Sequence, residues 1–171
     1  VDTITSKGAE AYAGAIVGCA TEQNAIRNIN LKFSLIEGSN YAGGIVGYSD
    51  SAPEIKNIIS IGDMLSGTTV GGIMSVLTEK MDLQNIYNDI QQISGQTAGG
   101  LFGKAEEGFT LNTVSNKIGK LDGTTVGAIA GSIQSTLPII WTNVTSIARI
   151  VSNPTWSGLI FGSLSLQNTA Q

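Results

Sequence analysis

The sequence predicts an all-β fold: a parallel β-solenoid, or β-helix, with three short strands in each coil of about 28 residues. Three observations carry the prediction. A Gly-rich box recurs six times, its first glycines standing at 14, 43, 71, 99, 127 and 158, in steps of 29, 28, 28, 28 and 31 residues. A fixed period of this length over a whole chain is the mark of a stacked repeat architecture. Between boxes lie only runs of four to six apolar or β-branched residues, separated by Gly, Asn, Ser and Pro, and such runs read as strands. No segment sustains a helical pattern of 10 or more residues, the nearest being Leu77 to Ile90.

Each coil opens on the box itself. It reads Ala13-Gly14-Ala15-Ile16-Val17-Gly18 first and Ala42-Gly43-Gly44-Ile45-Val46-Gly47 next. Its last copy is Ser157-Gly158-Leu159-Ile160-Phe161-Gly162. The column Ile16, Ile45, Ile73, Leu101, Ile129, Ile160 is the most uniform in the chain and is expected inside, as a stacked aliphatic core. Flanking glycines are expected where the chain turns or approaches another backbone closely. The next column, Val17, Val46, Met74, Phe102, Ala130, Phe161, has the opposite parity and is also apolar, whereas a half-exposed strand alternates. Either this strand is covered on both sides, or Val17, Val46, Met74, Phe102 and Phe161 form an outward contact stripe.

The second run starts 12 residues after the box glycine, as in Ile26-Arg-Asn-Ile-Asn-Leu31 and Ile55-Lys-Asn-Ile-Ile59. It carries the column Asn28, Asn57, Asn85, Thr113, Asn143, expected to satisfy a corner through amides hydrogen-bonded from coil to coil. The third run alternates around Phe33 and Ile36, Ile61 and Leu65, Ile90 and Ile93, Ile118 and Leu121, Ile147 and Ile150. Three such strands bury little alone, but stacked they build three parallel sheets rising ~4.8 Å per coil. Handedness is expected to be right-handed from the general rule for parallel crossovers.

The small-Gly-Gly-Ile/Leu-Val-Gly box, the apolar-x-Asn strand before it and the Gly-Thr-Thr turn resemble the GLUG repeat, best in Ile55-Lys-Asn57-Ile-Ile-Ser60 through Ser66-Gly-Thr-Thr-Val-Gly-Gly-Ile73. The resemblance spans nearly the whole chain, with departures at Ser75 and Leu159 and a longer last repeat containing Pro138 and Pro154. It implies a module of a large secreted or cell-surface protein and brings no catalytic residue.

Composition narrows the function classes. A net charge of −4, with nine dispersed basic residues, argues against nucleic acid as a partner. No apolar run approaches the ~20 residues of a membrane span. The absence of histidine removes imidazole acid–base chemistry and the usual zinc sites, and no cofactor is expected. The lone cysteine, Cys19, reads as a small packed residue.

Acids at one turn, Glu22, Asp50, Glu79 and Glu106-Glu107, read as a solvated edge. Thr69, Thr97 and Thr125 share a column with Tyr12, Tyr41 and Trp156, whose aromatics suit sugar contact. Asn143-Val-Thr145 matches a glycosylation acceptor, in a column that suggests packing.

Residues 1–171 are therefore read as one β-solenoid domain of five full repeats and a partial repeat at each end. No polar terminal cap is evident, and stacked repeats need one, so continuation beyond both termini is expected. The expected function is a non-catalytic structural module outside the cell, a rigid spacer or filament building block. Its expected partners are other chains or further repeats. The alternative is an adhesin module that binds a glycan or a host protein.

Overall fold

A computed structural model describes residues 2–8, 11–22, 25–151, 154–158 and 160–166. It contains β1 (Thr3–Ser6), β2 (Tyr12–Gly14), β3 (Val17–Ala20), β4 (Ala25–Gly38), β5 (Tyr41–Gly43), β6 (Val46–Ser49), β7 (Glu54–Ser66), β8 (Thr69–Gly71) and β9 (Met74–Leu77). The second half continues with β10 (Met81–Ser94), β11 (Thr97–Gly99), β12 (Phe102–Ala105), β13 (Phe109–Asp122), β14 (Thr125–Gly127), β15 (Ala130–Ser135), β16 (Ile140–Ile150), β17 (Trp156–Gly158) and β18 (Phe161–Leu166).

These strands form three six-stranded parallel sheets. The long sheet runs β1-β4-β7-β10-β13-β16, the second β2-β5-β8-β11-β14-β17 and the third β3-β6-β9-β12-β15-β18. Every third strand thus stacks on its counterpart one coil away, giving a β-solenoid of about six turns with a period of about 28 residues. Paired residues are repeat equivalents, as in Ile55↔Leu83 and Thr69↔Thr97.

The division of each coil differs from the expected one in a physically informative way. The second and third runs are one continuous long strand, bent at a single residue. Asn28, Asn57, Asn85, Thr113 and Asn143 all adopt the left-handed conformation, with φ of 58°, 55°, 55°, 57° and 54°. One such residue resets the side-chain alternation, so Ile55 and Ile58, three apart, both face the core and are at most 1% exposed. Asn tolerates this conformation better than other side chains with a Cβ.

The Gly-rich box, by contrast, is split into two short strands by a stacked bulge. The amides of Ile45 and Val46 both donate to the carbonyl of Ile73, at 2.9 and 3.0 Å, and those of Leu101 and Phe102 both donate to Ile129, at 2.8 and 3.0 Å. Two residues on one coil oppose one on the next, which bends the strand and breaks its alternation. Both neighbouring columns therefore point inward. Val46, Met74 and Phe102 are fully buried, while Val17 and Phe161 are partly buried against the same core. This corrects the reading of these five residues as an outward contact stripe. In the uniform column, Ile45, Ile73, Leu101 and Ile129 are at most 2% exposed, as expected; Ile16 and Ile160, in the outermost boxes, are 45% and 42% exposed.

Glycine is required at the bend because a Cβ on Gly99 would lie 1.7 Å from the carbonyl oxygen of Phe102 three residues on, and one on Gly43 1.9 Å from that of Val46. Where the box departs at Ser75, the hydroxyl donates to the Thr69 carbonyl at 2.6 Å. The departure at Leu159 lies outside the described residues. Inside, large and small residues compensate between coils. Phe33 fills the space above Gly62, and Phe102, whose ring stands 4.9 Å from that of Phe109, is followed one coil later by Ala130. The longer last repeat keeps its pairing with all three sheets, with a register shift between Ile118 and Leu121.

Candidate functional site

The bend of the long strands produces two amide ladders. The outer one is the predicted Asn column. Asn57 Nδ2 donates to Asn28 Oδ1 at 2.8 Å and Asn85 Nδ2 to Asn57 Oδ1 at 3.0 Å, all three side chains being exposed. Thr113 interrupts it, donating to Asn112 Oδ1 beside it at 3.0 Å.

The inner ladder was not anticipated from the sequence. Asn88 and Asn116 are 0% and 1% exposed. Asn88 Nδ2 donates to Asn116 Oδ1 at 2.8 Å and to the Gly100 carbonyl at 3.0 Å; Asn116 Nδ2 donates to the Ala128 carbonyl at 2.7 Å and to Ser146 Oγ at 2.9 Å. These bonds cross the interior and tie the long sheet to the bulged corner of the box. The column begins at Ser60, and Ser60 Oγ and Asn88 Oδ1 are buried without a hydrogen-bond partner. A polar residue at core parity was the available signal, obscured because Ser60 and Ser146 flank the two asparagines.

On the outer face, the bend leaves a groove of about 500 Å³ that crosses four coils. One row of its lining is Asn57, Asn85, Thr113 and Asn143. The second is Ile59, Tyr87, Ser115 and Thr145, paired in register along the stack. Ile59 and Tyr87 are each 41% exposed, and the same sheet also exposes Ile61 and Ile147 outside the groove. No lining residue carries a formal charge. The nearest cation along the second half of the strand, Lys117, gives its ammonium to Asp89 Oδ2 at 2.9 Å, and Tyr87 Oη is 3.3 Å from the same oxygen. The Asp89 pairing raises the Lys117 pKa above its ordinary value.

The other predicted positions separate. Tyr12, Tyr41, Thr69, Thr97, Thr125 and Trp156 do share a column. Tyr12 and Tyr41 stack on each other with centroids 5.2 Å apart, and Tyr48 from the third sheet closes on both, at 5.1 and 5.8 Å. Their ring faces are thus largely used within the cluster. At the acidic turn, Lys104 pairs with Glu106, so the protein itself supplies a cation there; among the described residues no group of three acids, cysteines or histidines is placed to hold a metal. Cys19 is exposed, which corrects its reading as a packed residue. Desolvation and the charge of Asp50 both raise its pKa, so the thiolate is disfavoured. Asn143 and Thr145 are also exposed, not packed as their column suggested.

A second hollow, of about 860 Å³, opens at the last coil. Trp141 and Ile160 line it. They continue columns that are buried at Leu111 and Ile129 one coil earlier, yet they are 46% and 42% exposed. Among the described residues nothing covers this surface, which is chemically the one that the inner coils bury against each other.

No protein-family model, no curated protein and no solved structure matches the chain.

Proposed function

We propose that the chain is a non-catalytic structural repeat module of an extracellular or cell-surface protein, a rigid spacer or filament building block of the GLUG-repeat kind. The observation that carries this reading is the regular stack of three six-stranded parallel sheets around one apolar core, in which each inner coil buries its apolar residues against its neighbours. Trp141 and Ile160 present an apolar surface that stacking buries in the inner coils. Exposed apolar area of this kind marks a contact surface. Further repeats of the same kind, or a second chain, would extend the core columns across it and lengthen the rod by ~4.8 Å per coil.

The test is the native polypeptide's assembly, followed by sedimentation together with acrylamide quenching of Trp141 in a Trp156→Phe background. The expected result is an elongated particle in which Trp141 is shielded from the quencher. A compact particle with Trp141 freely quenched, unchanged on dilution, overturns the proposal.

A second reading, an adhesin module, is favoured by the groove over the bend. A pure spacer has no use for exposed Ile59 and Tyr87 beside an uncharged amide row.

A further inference from the structure

We propose that the groove along the bend of the long sheet binds a linear, uncharged polysaccharide laid parallel to the stacking axis; this rests on the adhesin reading and names its ligand class. The groove offers two kinds of contact in parallel rows. Asn57, Asn85 and Asn143 present amides, each with two donors and two acceptor lone pairs, and the ladder uses only part of that capacity. Tyr87 and Ile59 present an exposed ring and an exposed aliphatic surface. A pyranose has this same double character, with hydroxyls around its rim and C–H groups on its faces. An aromatic side chain with a polar tip suits such a surface. The rows repeat with the coil, so four coils span ~14 Å at the inter-strand spacing, room for a short run of sugars with one contact set per coil.

Other occupants fit less well. An acidic polymer would find no cation in the lining, and the ammonium groups of Lys56 and Lys117 beside it are held by Glu54 and Asp89. An extended peptide gains its affinity by adding a strand at an open sheet edge. This groove lies on a sheet face, where β7, β10, β13 and β16 already pair with one another. A lipid surface would have to desolvate the amide row without replacing its hydrogen bonds.

The experiment uses the full chain on an immobilised panel of neutral hexasaccharides of gluco, manno, galacto and xylo configuration, with the corresponding uronate oligomers as charged controls. The expected result is binding to at least one neutral oligomer, with no preference for its uronate counterpart and little change with added salt. Tyr87→Ala should weaken binding at least tenfold. Asn85→Gly keeps the left-handed backbone and removes the amide, and should do the same. Circular dichroism of both variants confirms the fold.

Parallel binding to host cells, with and without glycosidase treatment, separates the two levels of the proposal. Cell binding that Tyr87→Ala abolishes but glycosidase does not would overturn the glycan and leave the adhesin reading standing. The absence of both oligosaccharide and cell binding overturns both. Preference for the uronates, or neutral binding unaffected by both groove variants, overturns the proposed site.

Discussion

Thr113 is the one β-branched residue in a column otherwise made of asparagine, and its substitution by asparagine should stabilise the protein. Its φ of 57° is that of its neighbours, 55° at Asn85 and 54° at Asn143. A left-handed conformation costs an ordinary L-residue roughly 1–2 kcal/mol, and asparagine relieves about 1 kcal/mol of it. The amide introduced by Thr113→Asn would also continue the outer ladder, donating to Asn85 Oδ1 and accepting from Asn143, as Asn57 donates to Asn28 at 2.8 Å and accepts from Asn85 at 3.0 Å. Two exposed amide bonds add about 1 kcal/mol, and loss of the Thr113 hydroxyl bond to Asn112 removes about 0.5 kcal/mol. The net expectation for Thr113→Asn is about 1.5 kcal/mol. For a chain of this size that is a rise in Tm of about 3–6 °C. It is also a rise in the urea midpoint of about 0.7 M, taking an m-value near 2 kcal/mol/M. Amide exchange in β10, β13 and β16 reports the same gain locally, without relying on two-state unfolding. Thr113→Gly relieves the backbone but gives no ladder, and should fall between wild type and Thr113→Asn. An unchanged or lower midpoint for Thr113→Asn, at unchanged m, would refute the reasoning.

Three further outcomes follow from the same geometry. Ser60→Asn should extend the inner ladder, placing an amide against the orphaned Asn88 Oδ1 and the Gly72 carbonyl, as Asn88 is placed against Asn116 and Gly100; the expected gain is about 1 kcal/mol in urea denaturation. Gly99→Ala should destabilise by about 3 kcal/mol, because its Cβ would meet the backbone oxygen of Phe102 at 1.7 Å, where only a main-chain shift makes room. Lys117 has a raised folded pKa, so its pairing with Asp89 contributes stability that is complete below pH 10.5 and is lost as pH rises through the folded value. Thermal melts from pH 8 to 12 should show this loss in the wild type and a shallower one in Lys117→Met.

The period of the solenoid was legible because stacking places equivalent residues above one another, and the column of Ile45, Ile73, Leu101 and Ile129 needs the same shape in every coil. The path of the chain within a coil was less legible. Alternation identifies a strand's buried face only while each residue opposes one partner. Where Ile45 and Val46 share the Ile73 carbonyl, the count slips, and two consecutive side chains enter the core. The same slip at Asn57 puts Ile55 and Ile58 on one side. That spacing of three was visible in the sequence, but its cause, a left-handed residue between them, is seen only in the structure. The groove was not visible, because it depends on how two rows from four coils converge across the bend. What the sequence did contain was the Asn column that marks where the bend lies.

The columns also separate positions that folding constrains from positions that it leaves free. The core column changes only between Ile and Leu in six coils. The bend column holds Asn in four coils of five, because the backbone conformation asks for it. Two residues further on, the outward column reads Asn30, Ile59, Tyr87, Ser115 and Thr145, a different residue in every coil. Nothing in the stacking constrains it, since its backbone is already paired on both sides in the inner coils and its side chains leave the core. A repeat scaffold can vary such a row without cost to its fold, and this row forms one wall of the groove. An unconstrained exposed row has no reason to carry its largest apolar side chains, Ile59 and Tyr87, on neighbouring coils beside an uncharged amide wall. The proposed ligand, which takes apolar contact and hydrogen bonds side by side, would supply that reason.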